Sequence, residues 1–306
     1  MPAGITVTSD DAELGRWVTA WIAGMRLEPP VPLAMALHVS AAPLDDPPDP
    51  RTPFLQPQFE IRSGPPLDDV RVRWLAAPAL AVIPRLGRTA EVRLSPEAVA
   101  QRESLGQSLL TMVLILLLRR AGWHHVHAAV ARDPRGRDWL FAGNAQSGKS
   151  TTAALLAQWG WAVGSDDLTF LVRSPAGVEA VAQRAPFALR PQGFELLGLA
   201  GGASARGGRK RAFFPEELGG TWVARLRPGI LVFPRVEGEH TSVETVRPRE
   251  ALAELVRWSA WVALEPDLAQ EHLDLLGALA GQGRCYRLAL APDLFRHRDL
   301  LMELIP

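Results

Sequence analysis

Residues 143–150 read GNAQSGKS, and no other stretch constrains so tightly what this chain can fold into. The spacing G-x-x-x-x-G-K-[ST] needs a strand that stops, a backbone that curls and a helix that starts at the lysine. The flanks supply both, because Trp139 to Ala142 (WLFA) is an apolar strand and Thr151 to Ala157 (TTAALLA) favours a helix. The two glycines let successive N–H groups turn toward one anion, and the helix adds its positive end. The spacing therefore predicts a phosphate cradle of Gly143, Asn144, Ala145, Gln146, Ser147, Gly148, Lys149, Ser150 and Thr151. In that cradle Lys149 reaches the β- and γ-oxygens of ATP, and the Ser150 hydroxyl coordinates magnesium.

A nucleotide loop needs a carboxylate near the metal, carried at the end of a neighbouring strand. Asp166 and Asp167 follow the short strand Trp161 to Gly164, one helix and one strand after the loop, so they can return beside it. On an extended segment adjacent side chains point apart, so the pair divides its work. Asp166 is read as the general base for an attacking hydroxyl and Asp167 as the magnesium-side carboxylate, an order that could be reversed. His125 and His127 share one face of the strand before the loop. Two such histidines could open a zinc site, but no third ligand is evident, and His127 is read as lying close to the phosphates or the aspartates.

Around this centre the chain reads as α/β, in two domains: residues 1–95, rich in proline with short β-like runs, and 96–306, which carries the loop. The runs are Leu33 to Val39, Phe59 to Arg62, Val70 to Trp74, Ala79 to Ile83 and Val92 to Leu94. Ala41 to Pro57 reads as an exposed linker, and Ser95-Pro96 opens a helix that continues to Arg120. Its apolar part, Leu109 to Leu118, is too short for a bilayer and is read as buried. Downstream, Gly201 to Arg211 reads as a flexible basic loop, Gly229 to Arg235 as a central strand, and Pro292 to Leu304 as helical. Lys+Arg and Asp+Glu each total 33, so neither a nucleic acid nor an anionic membrane surface is an expected partner. A single cysteine and the lack of a secretory signal pattern point to a reducing cytoplasm. Only Lys149 and Lys210 among the 33 basic residues are lysines. Lys210 and Arg190 are read as clamps for the transferring phosphoryl group or an acidic substrate.

The segments HAAV from His127, GNAQSGKST from Gly143 and GSDD from Gly164 together resemble the HPr serine kinase family and its HPr-kinase-like relatives, which are related to phosphoenolpyruvate carboxykinase. The resemblance covers Val126 to Phe170. It implies a compact P-loop core with mixed-direction strands behind a smaller N-terminal domain, a homo-oligomer, and a catalytic centre of His127, Lys149, Ser150, Asp166 and Asp167 with the first aspartate as base. Arg190 to Glu195 (RPQGFE) stands where HPr kinases carry a glutamate-x-arginine-glycine signature, which points away from HPr as acceptor. The chain more closely resembles the HPr-kinase-related proteins associated with peptide-modification gene clusters. The implied activity is ATP- and magnesium-dependent phosphorylation of a serine or threonine hydroxyl of a peptide or protein, a ribosomally made precursor peptide among them. A small-molecule kinase and a non-catalytic nucleotide-binding regulator are the alternatives.

Overall fold

A computed structural model describes residues 4–41, 54–55, 58–63, 69–205 and 210–306. The chain divides into two units, Met1–His124 with Trp261–Gln270, and His125–Ala260 with Glu271–Pro306. The division expected at residue 95 thus falls at 124, because the helices after residue 95 pack on the first unit's sheet. Most of the segment 41–57, read as a linker, lies outside the described residues.

The first unit opens with β1 (Ile5–Ser9), α1 (Ala12–Gly24) and β2 (Leu33–Val39), followed by β3 (Phe54–Leu55), β4 (Phe59–Arg62), β5 (Asp69–Trp74), β6 (Ala79–Pro84) and β7 (Thr89–Leu94). These form one sheet in the order β1-β2-β7-β6-β5-β4-β3. Helix α1, absent from the sequence reading, begins at Asp11, whose carboxylate accepts from the amides of Glu13 and Leu14 at 2.9 Å each. Strand β7 alternates, burying Ala90, Val92 and Leu94. The helix read as continuous from Ser95 is broken into α2 (Pro96–Ala100), α3 (Arg102–Leu105), a π-helical segment Gly106–Leu110 and α4 (Thr111–Arg119). The first break lies at Gln101, whose φ of −98° and ψ of 43° leave the helical region. Helix α4 is buried from Met112 to Arg119, as its apolar run requires. Among the described residues no helix is long and apolar enough to cross a membrane.

The second unit contains β8 (His124–Arg132), β9 (Asp138–Ala142), α5 (Lys149–Gln158), β10 (Ala162–Val163), β11 (Leu168–Ser174), β12 (Gly177–Ala182), β13 (Phe187–Leu189), α6 (Pro191–Leu196), β14 (Ala203–Ala205), β15 (Lys210–Phe213), β16 (Thr221–Trp222), β17 (Arg225–Leu226), β18 (Ile230–Val236), β19 (Ser242–Val246), α7 (Pro248–Arg257), α8 (Pro266–Gln282), which enters it from the first unit, β20 (Arg284–Leu290) and α9 (Leu300–Leu304). Its main sheet runs β17-β12-β11-β8-β9-β18-β20-β19, with β10 and β16 alongside. Strands β9, β18 and β20 are parallel, whereas β8 is antiparallel to β9 and β19 to β20. The fold is therefore α/β with mixed-direction sheets. The three parallel strands bring their C-terminal ends to one edge, where open α/β sheets bind ligands. Helix α5 buries Ala153 to Ala157 in a core with Trp139, Phe141 and Trp161, and the two tryptophan rings lie 5.4 Å apart.

Two readings of this half change. The basic stretch 201–211 carries β14 and the start of β15, which with β13 make a three-stranded antiparallel sheet, while its residues 206–209 lie outside the described residues. The stretch 292–304 is a 3-10 turn, Pro292–Arg296, followed by the separate short helix α9.

Candidate active site

The loop 143–148 leaves β9 and enters α5 at Gly148, whose φ of 97° only glycine adopts without strain. A side chain there would also collide with Leu290, since a Cβ would stand 2.7 Å from its Cδ1. At Gly143 a Cβ would stand 2.8 Å from Ser147 Oγ, so the curl closes because both positions lack side chains. Gln146 takes a φ of 72°, a second left-handed step. The Ser147 hydroxyl is buried and has no hydrogen-bond partner, which leaves a donor in the cradle for an anion. The Lys149 ammonium is buried and donates to the carbonyls of Gly143 and Asn144 at 2.7 Å each. Burial lowers its pKa to about 8, against the opposing pull of Asp167 and Asp166.

The register of β8 against β9 carries the chemistry to this loop. Ala128 pairs with Ala142, so His127 lies one step further, level with Gly143. On the other side of β8, the Val130 amide donates to the Ser165 carbonyl at 3.0 Å, and the Thr169 hydroxyl donates to the Ala128 carbonyl at 2.8 Å. Between these two ties the chain bends at Asp166 and Asp167. Ser165 shapes the bend, its hydroxyl oxygen accepting from the amides of Asp167 and Leu168 at 3.3 and 3.0 Å. Sequence reasoning missed this residue; a serine directly before two aspartates was the available signal.

The bend sends the two carboxylates to different partners. Asp167 meets His127, with Nε2 2.6 Å from Oδ1. Burial opposes charge on Asp167, yet the hydrogen bond and charge of His127, aided by His125 and Lys149, hold its carboxyl well below the ordinary range. Asp166 is buried and accepts a hydrogen bond from Ser150. Burial and the neighbouring Asp167 raise it to about 6, with Ser150 and Lys210 opposing the shift. His125 is buried edge-on to Phe170 at 5.8 Å and hydrogen-bonded to the Asp167 backbone. Burial lowers its pKa to about 4, so it is neutral at physiological pH.

No family model and no curated protein matches this chain.

The expected residues His127, Lys149, Ser150, Asp166 and Asp167 thus gather around the loop 143–148 from three separate segments, and Lys210 lies close enough for its charge to act on Asp166. Arg190 is exposed at the start of α6. The loop serine, expected on the magnesium side with Asp167, hydrogen-bonds Asp166, the carboxylate read as the base. Among the described residues no three His, Cys, Asp or Glu side chains gather as a ligand set. Magnesium requires no such set, because one or two carboxylates, a hydroxyl and substrate phosphates suffice.

Proposed function

We propose that this chain is an ATP- and magnesium-dependent kinase of the HPr-kinase-like type, acting in the cytoplasm on a serine or threonine hydroxyl of a peptide or protein. The observation that carries the proposal is the convergence of a carboxylate pair on a phosphate-type loop, Asp166 through Ser150 and Asp167 through His127. A loop alone would suit any nucleotide binder. A buried carboxylate with a pKa near 6 beside it suits a group that takes up a proton.

In this reading the loop amides, Ser147 and Lys149 hold the β- and γ-phosphates. The acceptor oxygen forms a bond to the γ-phosphorus, the bond to the β-bridging oxygen breaks, ADP leaves, and Asp166 receives the hydroxyl proton. Asp167, fixed by His127, and Ser150 would hold magnesium, which supplies charge neutralisation at the phosphate oxygens. The rate gain comes from positioning and from cations fixed before the reaction begins.

The Ser150–Asp166 hydrogen bond favours a second assignment within the same activity, with Asp166 on the metal side and the Asp167–His127 pair receiving the proton. The variants Asp166→Asn and Asp167→Asn separate the two. On the first assignment Asp166→Asn binds Mg-ATP normally and loses turnover, while Asp167→Asn raises the magnesium requirement; on the second the phenotypes exchange. The activity itself is tested with radiolabelled ATP against serine- and threonine-containing peptides and against free metabolites. Label is expected in a peptide and lost by about a thousandfold or more in Lys149→Ala. Label only in a metabolite, or undiminished transfer by Lys149→Ala, would overturn the reading.

A further inference from the structure

A strand register and a ring stack hold Lys210 within electrostatic reach of the carboxylate pair. Strand β13 pairs with β15 through Phe187–Phe213, Ala188–Ala212 and Leu189–Arg211. One step further in the same register sets Arg190 opposite Lys210. Directly opposed residues of an antiparallel pair hold their Cβ atoms about 5 Å apart on one face. Phe187, Leu189 and Phe213 are buried, so that strand face packs on the core, while Arg190 is exposed and Lys210 half-buried on the other.

The small sheet is tied to the phosphate loop. Gly193 of α6 comes so close to Thr151, in the first turn of α5, that a Cβ there would lie 2.7 Å from the threonine hydroxyl. The next residue, Phe194, stacks on Phe213 with centroids 6.0 Å apart. Through that stack β15 is fixed relative to α5, and Lys210 at its start lies within electrostatic reach of Asp166. The chain holds two lysines among 33 basic residues, and both bear on the aspartate pair, Lys149 from the loop and Lys210 from the sheet. A compact ammonium fits between a carboxylate and a phosphoryl oxygen where a guanidinium fork would need a flat partner.

We propose that Lys210, with Arg190 beside it adding to the positive field, contacts the transferring phosphoryl group from the acceptor side, opposite Lys149. The proposal rests on the kinase reading and deepens it. Charge on the peripheral oxygens of that group is neutralised during transfer by cations on both sides, so Lys210 acts on the group in flight and not on bound ADP. No bond is added to the transfer step described above.

The test compares binding of ADP with magnesium to binding of ADP, magnesium and aluminium fluoride, a mimic of the group in transfer, by calorimetry on the full chain. Lys210→Met, which keeps the aliphatic stem, and Lys210→Ala are set against wild type. Wild type is expected to hold the mimic more tightly than ADP, and both variants to keep ADP affinity within about threefold while losing about 100-fold for the mimic. If either variant keeps the mimic's advantage, if both ligands weaken equally, or if wild type shows no preference, the role of Lys210 is overturned while nucleotide binding stands. A wild type that binds neither ligand sinks the kinase reading and this proposal with it.

Discussion

Gly148 shows how far a single residue controls the candidate site. Its left-handed backbone starts α5 with the loop amides turned inward, and its missing side chain leaves room for Leu290 and Val236. Gly148→Ala is expected to destabilise the chain by about 1–3 kcal/mol and to weaken nucleotide binding, read by thermal unfolding with and without Mg-ATP. Asp166 makes a residue-scale prediction of opposite kind. With its pKa raised to about 6, it is protonated in acid and becomes a competent base as pH rises. If Asp166 takes the proton, kcat/KM climbs through that pH in wild type, and the small residual rate of Asp166→Asn lacks this limb. The glycines were legible in sequence because backbone sterics act locally. The partner of each aspartate was not, because it depends on a bend that Ser165 imposes.

At the scale of elements, the hairpin joining β8 to β9 sets His127 level with Gly143, and one buried carboxylate fastens it. Asp133 accepts from the amides of Arg135 and Arg137 at 2.9 Å each, from Arg137 Nε at 2.6 Å and from Trp139 Nε1 at 3.0 Å. Burial alone would raise its pKa, but the donors from Arg137 and Trp139 outweigh burial and lower it. A carboxyl lowered in the folded state stabilises the fold above the ordinary carboxylate range, and that contribution is lost as pH falls through the folded value. Asp133→Asn is therefore expected to cost about 3 kcal/mol at neutral pH and much less in acid, measured by urea unfolding at both. The turn itself was readable from Asp133 to Gly136. The π-helical segment before α4 was not read, although Gly106 and Ser108 within it (GQSLL) weaken the local preference for a regular helix.

Across the whole molecule, the first unit is completed by a segment that arrives late in the chain. Glu265 lies 2.5 Å from Arg120 and 3.5 Å from Arg119, all three buried, and Arg119 also donates to the Trp261 carbonyl at 2.5 Å. Burial lowers the pKa of Arg120, which Glu265 opposes. Removing one partner leaves buried charge uncompensated, so Glu265→Ala is expected to cost the first unit about 3–5 kcal/mol, read as a lower urea midpoint. A boundary at residue 95 followed from the change in composition there. It missed that α2 to α4 and residues 261–270 belong with the first sheet, because composition carries no record of which distant segments exchange buried charge.

By itself the sequence determined the loop and its neighbours: Gly143 to Ser150, the strand before it, the helix after it, and an acidic pair one strand away. Those features are set by steric limits and spacing within a few residues. Only tertiary structure decided that Ser150 takes Asp166, that His127 takes Asp167, and that Lys210 comes within electrostatic reach of Asp166, because strand register and close packing between distant segments fix such pairings and neither is written in local sequence.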